Sequence, residues 1–251
     1  MRAIALGLLV AAITAAPASA AESSTSSNWA GYAVMRDGVR FARVSGAWTM
    51  PRVDCSALET RWSAVWVGLG GYTDTSPALE QIGTEADCDS RGHAHYSTWY
   101  ELVPDVAHSA RLDANPGDRM AASVTVIGRR VRLRLSNRTT GDAFTKTLKA
   151  SAIDISSAEW IVEAPSACSG TSADTGCSIM PLANFGATRI TEAKVLTTAG
   201  RSGSINADAW DAVQIHMRSH GGRFGRRISS GAITGDLNAS GRAFTVTYTA
   251  N

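Results

Sequence analysis

Apolar and polar residues alternate through most of the chain. "VRLRLSN" sets Val131, Leu133 and Leu135 against Arg132 and Arg134, and "AFTVTYT" sets Phe244, Val246 and Tyr248 against threonines. "ASVTVIG" and "WSAVWVGLGG" are similar, with β-branched and aromatic enrichment. A period of two places successive side chains on opposite faces of a strand. Gly, Asn, Asp and Ser punctuate these runs, as in "NPGD", "NRTTGD" and "GDLNASG", and mark turns. After the first twenty residues no long stretch keeps helical spacing, and "ADAWDAVQIHM" is the one place where a short helix competes. Many short strands with frequent turns predict an all-β sandwich or closed barrel. No internal repeat, low-complexity tract or linker stands out, and the serine-rich "AESSTSSN" reads as a flexible mature N-terminus.

The opening "MRAIALGLLVAAITAAPASA" changes the picture of where the chain works. Arg2 supplies a positive start, Ile4 to Ala16 an apolar run too short to span a bilayer, and Ala18-Ser19-Ala20 a small-x-small cleavage site. Cleavage near Ala20 predicts a secreted, extracellular or periplasmic protein with one domain over residues 21–251. No other stretch approaches ~18 consecutive apolar residues, so no membrane anchor is expected. Without Arg2, 23 of the 24 basic residues face 22 acids. That balance carries no nucleic-acid signature, and the arginine groups "GRRVRLRL" and "HGGRFGRR" read as solvated strand faces and turns. Four cysteines in an exported chain favour two disulfides. Of the three connectivities, Cys168–Cys177 would close a short loop and leave Cys55–Cys88.

Candidate chemistry begins with "SSAEWIVEAPS". On a strand, Glu159, Ile161 and Glu163 share one face while Trp160 and Val162 share the other. The bland reading of the acids is a solvated strand face. A second stretch, "ALEQIGTEADC", sets Gln81 near Glu80 and Glu85, and Tyr96, Trp99, Tyr100 and Glu101 follow within twenty residues. Aromatic side chains beside carboxylates and an amide suit a groove that holds an extended peptide or sugar.

Together these stretches resemble the glutamic peptidases, the eqolisins of family G1, best known as acid-acting fungal proteases. The matching segments are "SNWAGY", "AVWVGLGG", "LEQIGTEADC", "STWYELVPD" and "AEWIVEAP", in the family's order. The resemblance implies a sandwich of two curved antiparallel sheets, similar to the concanavalin or legume-lectin jelly roll. It also implies a catalytic pair, Gln81 and Glu163. Trp99 and Glu101 match positions lining the substrate groove, and Glu85 lies where fungal members carry an aspartate. Val103 stands where a groove tyrosine is expected, and Ala164 and Pro165 replace acidic residues. "NWAGY" begins about eight residues after the cleavage site, so activation through a long propeptide is not expected.

The chemistry is coherent without the family. A carboxylate can take a proton from water and return it to the leaving nitrogen. A glutamine amide can donate to the oxyanion without titrating. An ordinary glutamate would be ionised in mild acid, which predicts activity at acid pH. A neutral optimum would need its pKa raised by burial or by a neighbour such as Glu159. The expected substrate is polypeptide, with no cofactor, no metal, no nucleic acid, and a monomer as the default.

Rival readings remain. A glycoside hydrolase or lectin would suit the same sandwich. Glu159 and Glu163 would have Cα atoms ~13 Å apart on a regular strand, too far for a glycosidase pair, so Glu163 would have to work with Glu101. A non-catalytic binding module would keep the groove and need no Gln–Glu pair. The "HAH" histidines, His93 and His95, could bind metal, without a third ligand of supporting spacing. Asp174-Thr175-Gly176 lacks the apolar strand of an aspartic-protease loop and reads as a turn between Cys168 and Cys177.

Overall fold

The computed structural model describes residues 21–73, 75–168, 177–218 and 230–250. Residues 1–20, expected to be a leader, and Asp174-Thr175-Gly176, expected to be a turn, lie outside the described residues. All described elements are strands. In chain order they are β1 (Glu22–Ser26), β2 (Trp29–Met35), β3 (Phe41–Thr49), β4 (Ala64–Gly70), β5 (Leu79–Cys88) and β6 (Ala94–Val103). Then come β7 (His108–Ser109), β8 (Arg119–Ile127), β9 (Arg130–Asn137), β10 (Ala143–Lys149), β11 (Ser157–Glu163) and β12 (Ser166–Cys168). The last are β13 (Cys177–Ile179), β14 (Ala187–Thr197), β15 (Ser202–Gly203), β16 (Asp211–Met217), β17 (Ser230–Thr234) and β18 (Phe244–Ala250).

The strands pair in one continuous order, β10-β9-β8-β3-β14-β18-β17-β16-β2-β11-β4-β5-β6-β7. The ribbon folds back on itself, and its two halves pack face to face. Trp160 on β11 donates its indole N–H to Ser45 O on β3 at 2.8 Å, and Trp48 on β3 donates to Thr84 Oγ1 on β5 at 3.0 Å. Lys146 on β10 donates to Tyr100 OH on β6 at 2.6 Å, drawing the two ends of the ribbon together. This is the expected sandwich of curved antiparallel sheets. The alternation predicted its core. Val131, Leu133 and Leu135, with Phe244 and Val246, fill the space between the layers along with Trp160 and Val162.

Two local expectations change. Residues 22–26 are not loose but form β1, parallel to β16. An edge strand holds by backbone hydrogen bonds and needs no apolar side chains, so a serine-rich segment can serve. "DAVQIHM" is strand β16 rather than helix, because its alternate Val213 and Ile215 pack on the sheet beside β2. Cys55 and Cys88 form the expected disulfide. Cys168 and Cys177 stand opposite each other in the β12–β13 register, and Cys177 is disulfide-bonded.

Candidate active site

The outer face of the second layer carries a smaller apolar cluster around Trp66, Trp99, Ile161 and Leu79. Strand register sets its side chains in rows. One row runs Trp29, Glu163, Ala64, Glu85, Ser97 across β2, β11, β4, β5 and β6. The next runs Ile161, Trp66, Gly83, Trp99, and the third Glu159, Gly68, Gln81, Glu101. Gly83 is required between the two indoles: a Cβ there would lie 2.3 Å from Val65 O and 2.6 Å from Trp66 Cβ.

These rows enclose an open cavity of about 420 Å³. Gln81, Glu85, Trp99, Glu101 and Glu163 all line it, with Asn28, Trp29, Leu79 and Val103. Five of the six residues named from the sequence therefore meet in one place. Tyr100 does not join them. It points into the inter-sheet core, stacked on Phe144 at 5.5 Å and His108 at 5.4 Å. Val103 does line the cavity.

Glu163 is held from two sides. Asn28 Nδ2 donates to its Oε1 at 3.0 Å and Trp66 Nε1 donates to its Oε2 at 2.7 Å. Gln81 Nε2 donates to Glu101 Oε2 at 2.6 Å, and the Gln81 carbonyl oxygen is buried without a partner. The Trp99 indole nitrogen is likewise buried and unpaired. Ser97 donates to Glu85 at 3.1 Å. The site therefore offers a carboxyl fixed by two donors and an amide held by Glu101, both residues lining one space large enough for water.

Burial pushes Glu163 up to about 8; the Glu101 and Glu85 carboxyls add to this, and the hydrogen bond from Trp66 opposes it. Burial also raises Glu101 to about 6, against the hydrogen bond from Gln81, and raises Glu85. The cause is the one weighed for a neutral optimum, but the acidic neighbours are Glu101 and Glu85 rather than Glu159.

Glu159 is neither solvated nor in the cleft. It is 0 % exposed, and neither carboxylate oxygen has a hydrogen-bond partner. A Cβ on Gly68, its neighbour in the row, would lie 2.9 Å from the Trp66 ring, so that indole occupies the space on the way to Gln81. Burial holds the Glu159 carboxyl well above the usual carboxylate range; the nearby Ser157 hydroxyl opposes this, and the Asp154 and Glu80 carboxyls add to it. His93 and His95 both face Asp89 Oδ2, at 3.1 and 3.4 Å, on the exposed β5–β6 turn.

The sequence assigns no role to Asn28 or Trp66, although both lie in segments that resemble the family. Their bonds to Glu163 span 135 and 97 positions. Alternation along "AVWVG" would have put Trp66 on the outer face with Ala64. Nothing local announces Asn28.

Fold and cleft together define a peptide hydrolase of the two-sheet sandwich class. The Peptidase A4 family, the eqolisin or glutamic peptidases, matches residues 27–236, and the chain belongs to that family. Scytalido-glutamic peptidase with a peptide-based transition-state analogue is similar at 26 % identity and TM-score 0.67, over 89 % of this chain and 98 % of that one. Aspergilloglutamic peptidase from Aspergillus niger is similar at 27 % identity and TM-score 0.55, over 75 % and 99 %. SCP-B, an eqolisin in complex with the tripeptide Ala-Ile-His, shares the fold at 24 % identity and TM-score 0.65, over 89 % and 98 %. No curated protein sequence matches the chain. The chain is a peptidase, and its substrates are polypeptides.

Proposed function

We propose that this protein is a secreted endopeptidase, exported by cleavage near Ala20, that hydrolyses peptide bonds at acid pH with Gln81 and Glu163. The observation that carries the reading is their convergence on one cavity, from β5 and β11, with Asn28 and Trp66 fixing the carboxyl and Glu101 fixing the amide. Trp99, Glu101 and Glu85 shape the groove.

The raised pKa of Glu163 sets the order of proton transfers. In acid the carboxyl enters protonated. It gives its proton to the scissile carbonyl oxygen as water attacks, and its second oxygen takes a proton from that water. A neutral gem-diol results, with Glu163 again protonated. Glu163 then protonates the amide nitrogen, the C–N bond breaks, and the carboxylate takes back a proton from the protonated carbonyl product. Gln81 donates its second N–H to the developing diol oxygen, beside the bond its first makes to Glu101. The polymer-holding groove, rather than a cofactor, supplies orientation.

Purified residues 21–251 would be assayed on casein or denatured haemoglobin from pH 2 to 8. Glu163→Gln and Gln81→Ala are expected to lose on the order of 10²-fold or more in kcat/KM. With a protonated Glu163 as the working form, kcat/KM falls as pH rises through about 8. Variants that cut normally would remove the dyad. A profile that instead climbs toward pH 8 would make Glu163 a base in its resting state.

A further inference from the structure

The sheet face opposite the cleft is cationic. Val131, Leu133 and Leu135 of β9 face the core, so Arg130, Arg132 and Arg134 point outward. Register extends this across the layer. Arg132 aligns with Thr125 and, through it, with Arg43 on β3; Arg134 aligns with Ser123 and Ser45. Lys194 on β14 pairs with Ser45 from the other side.

Two adjoining hollows share Arg43 and Ser45. One, about 250 Å³, also takes in Arg134 and Arg138; the other, about 440 Å³, takes in Lys194. The first is also lined by small residues, among them Ala121, Ser123 and Ser136. Among the described residues Glu192 is the one carboxylate lining either hollow, and Arg138 already holds it through two bonds of 2.6 and 2.8 Å. Arg43, Arg132 and Lys194 have no ion pair among the described residues. Uncompensated guanidiniums on a concave surface are an anion site in waiting, since their planar forks match carboxylates two bonds at a time.

We infer that this surface captures an acidic polypeptide segment in extended form, away from the catalytic cleft. Arginines at alternate positions of β9 lie ~6.8 Å apart, the spacing at which an extended peptide repeats side chains on one face. Bound single-stranded nucleic acid would need aromatic platforms for its bases, and neither hollow is lined by an aromatic side chain. A membrane surface would need apolar anchors beside the cations, and none of the exposed large apolar side chains lines either hollow. A protein that processes polypeptides gains local substrate concentration from such a surface, but binding there does not depend on the cleft's chemistry.

The test uses the Glu163→Gln protein, so that no probe is cut. A fluorescent peptide of repeated Glu-Thr is titrated by anisotropy at neutral pH and low salt, against a Gln-Thr repeat. Saturable binding of the acidic peptide alone is expected, weakening with added salt. Arg43→Ser/Arg132→Ser/Arg134→Ser should reduce affinity on the order of 10-fold without moving the thermal midpoint. Arg91→Ser, on the β5–β6 turn of the cleft layer, should leave it unchanged. Absent binding, or equal affinity in the triple variant, would overturn the inference. Tighter binding of dextran sulfate or a single-stranded oligonucleotide at matched charge would overturn the assignment to polypeptide.

Discussion

Trp66 links three parts of the cleft in one side chain. Its N–H reaches Glu163, its ring meets Trp29 edge-on at 5.0 Å, and its far edge lies over Gly68. A donor aimed at a carboxylate favours the ionised form. Trp66→Phe keeps much of the packing and deletes the donor. The Glu163 pKa should rise by roughly one unit, the worth of a hydrogen bond to a charged group. The alkaline limb of the pH–rate profile should move up with it, and a limb that stays put would deny the indole this role. At this scale the sequence was partly legible. Gln81 and Glu163 stand in quotable segments. Tyr100 is next to Trp99 and Glu101 in sequence but not in space: period two in "TWYELV" separates Trp99, Glu101 and Val103 from Tyr100 and Leu102. Asn28 was out of reach, because a contact across 135 positions leaves no local trace.

Between elements, the cleft depends on how closely β4 and β5 approach. Gly83 has no room for a methyl group against Val65 O and Trp66 Cβ. Gly83→Ala should therefore cost about 1–3 kcal/mol through overpacking, lowering the thermal midpoint by several degrees (~2–4 °C per kcal/mol at this size) and displacing Trp66. Calorimetry with the peptidase assay checks both. An unchanged midpoint would mean the strands can part at no cost. Strand identity was readable wherever one face is core and the other solvent. It was least readable in β5, whose Glu80, Gln81 and Thr84 are all buried polar residues. Buried acids and amides break the apolar–polar alternation because one face of β5 packs on the opposite layer and the other lines the cleft.

Over the whole molecule, protonation couples to stability. Burial raises Glu80 and Glu163 to about 8 and Asp87 to about 7, and Glu159 moves the same way. The native state keeps these protons at pH values where the unfolded chain, with carboxyl pKa ~4, has lost them. Their stabilisation is full below the unfolded values and is lost as pH rises through the folded ones. Asp89, held below the usual range chiefly by the His93 backbone N–H, and Asp211, held down by Arg36, act oppositely and lose their share only in stronger acid. The thermal midpoint should peak at about pH 4–5 and fall toward pH 8, and Glu159→Gln should flatten that fall. Circular dichroism melts across pH 3–9 measure it. A midpoint that rises steadily to neutrality would contradict the sign. Such a fold would suit work in acid.

The sequence by itself determined the all-β class, the inward set of each strand, and the two segments that carry the amide and the acid. These are local matters, since period two and turn chemistry act over a few residues. Tertiary structure alone decided which acid faces the cleft and which is sealed behind Trp66. It also brought Asn28 to Glu163 and spread Arg43, Arg132 and Lys194 over one cationic face. Those outcomes follow from register between strands distant in sequence and from burial, which moves a carboxyl's pKa. Neither is a property of any segment read alone.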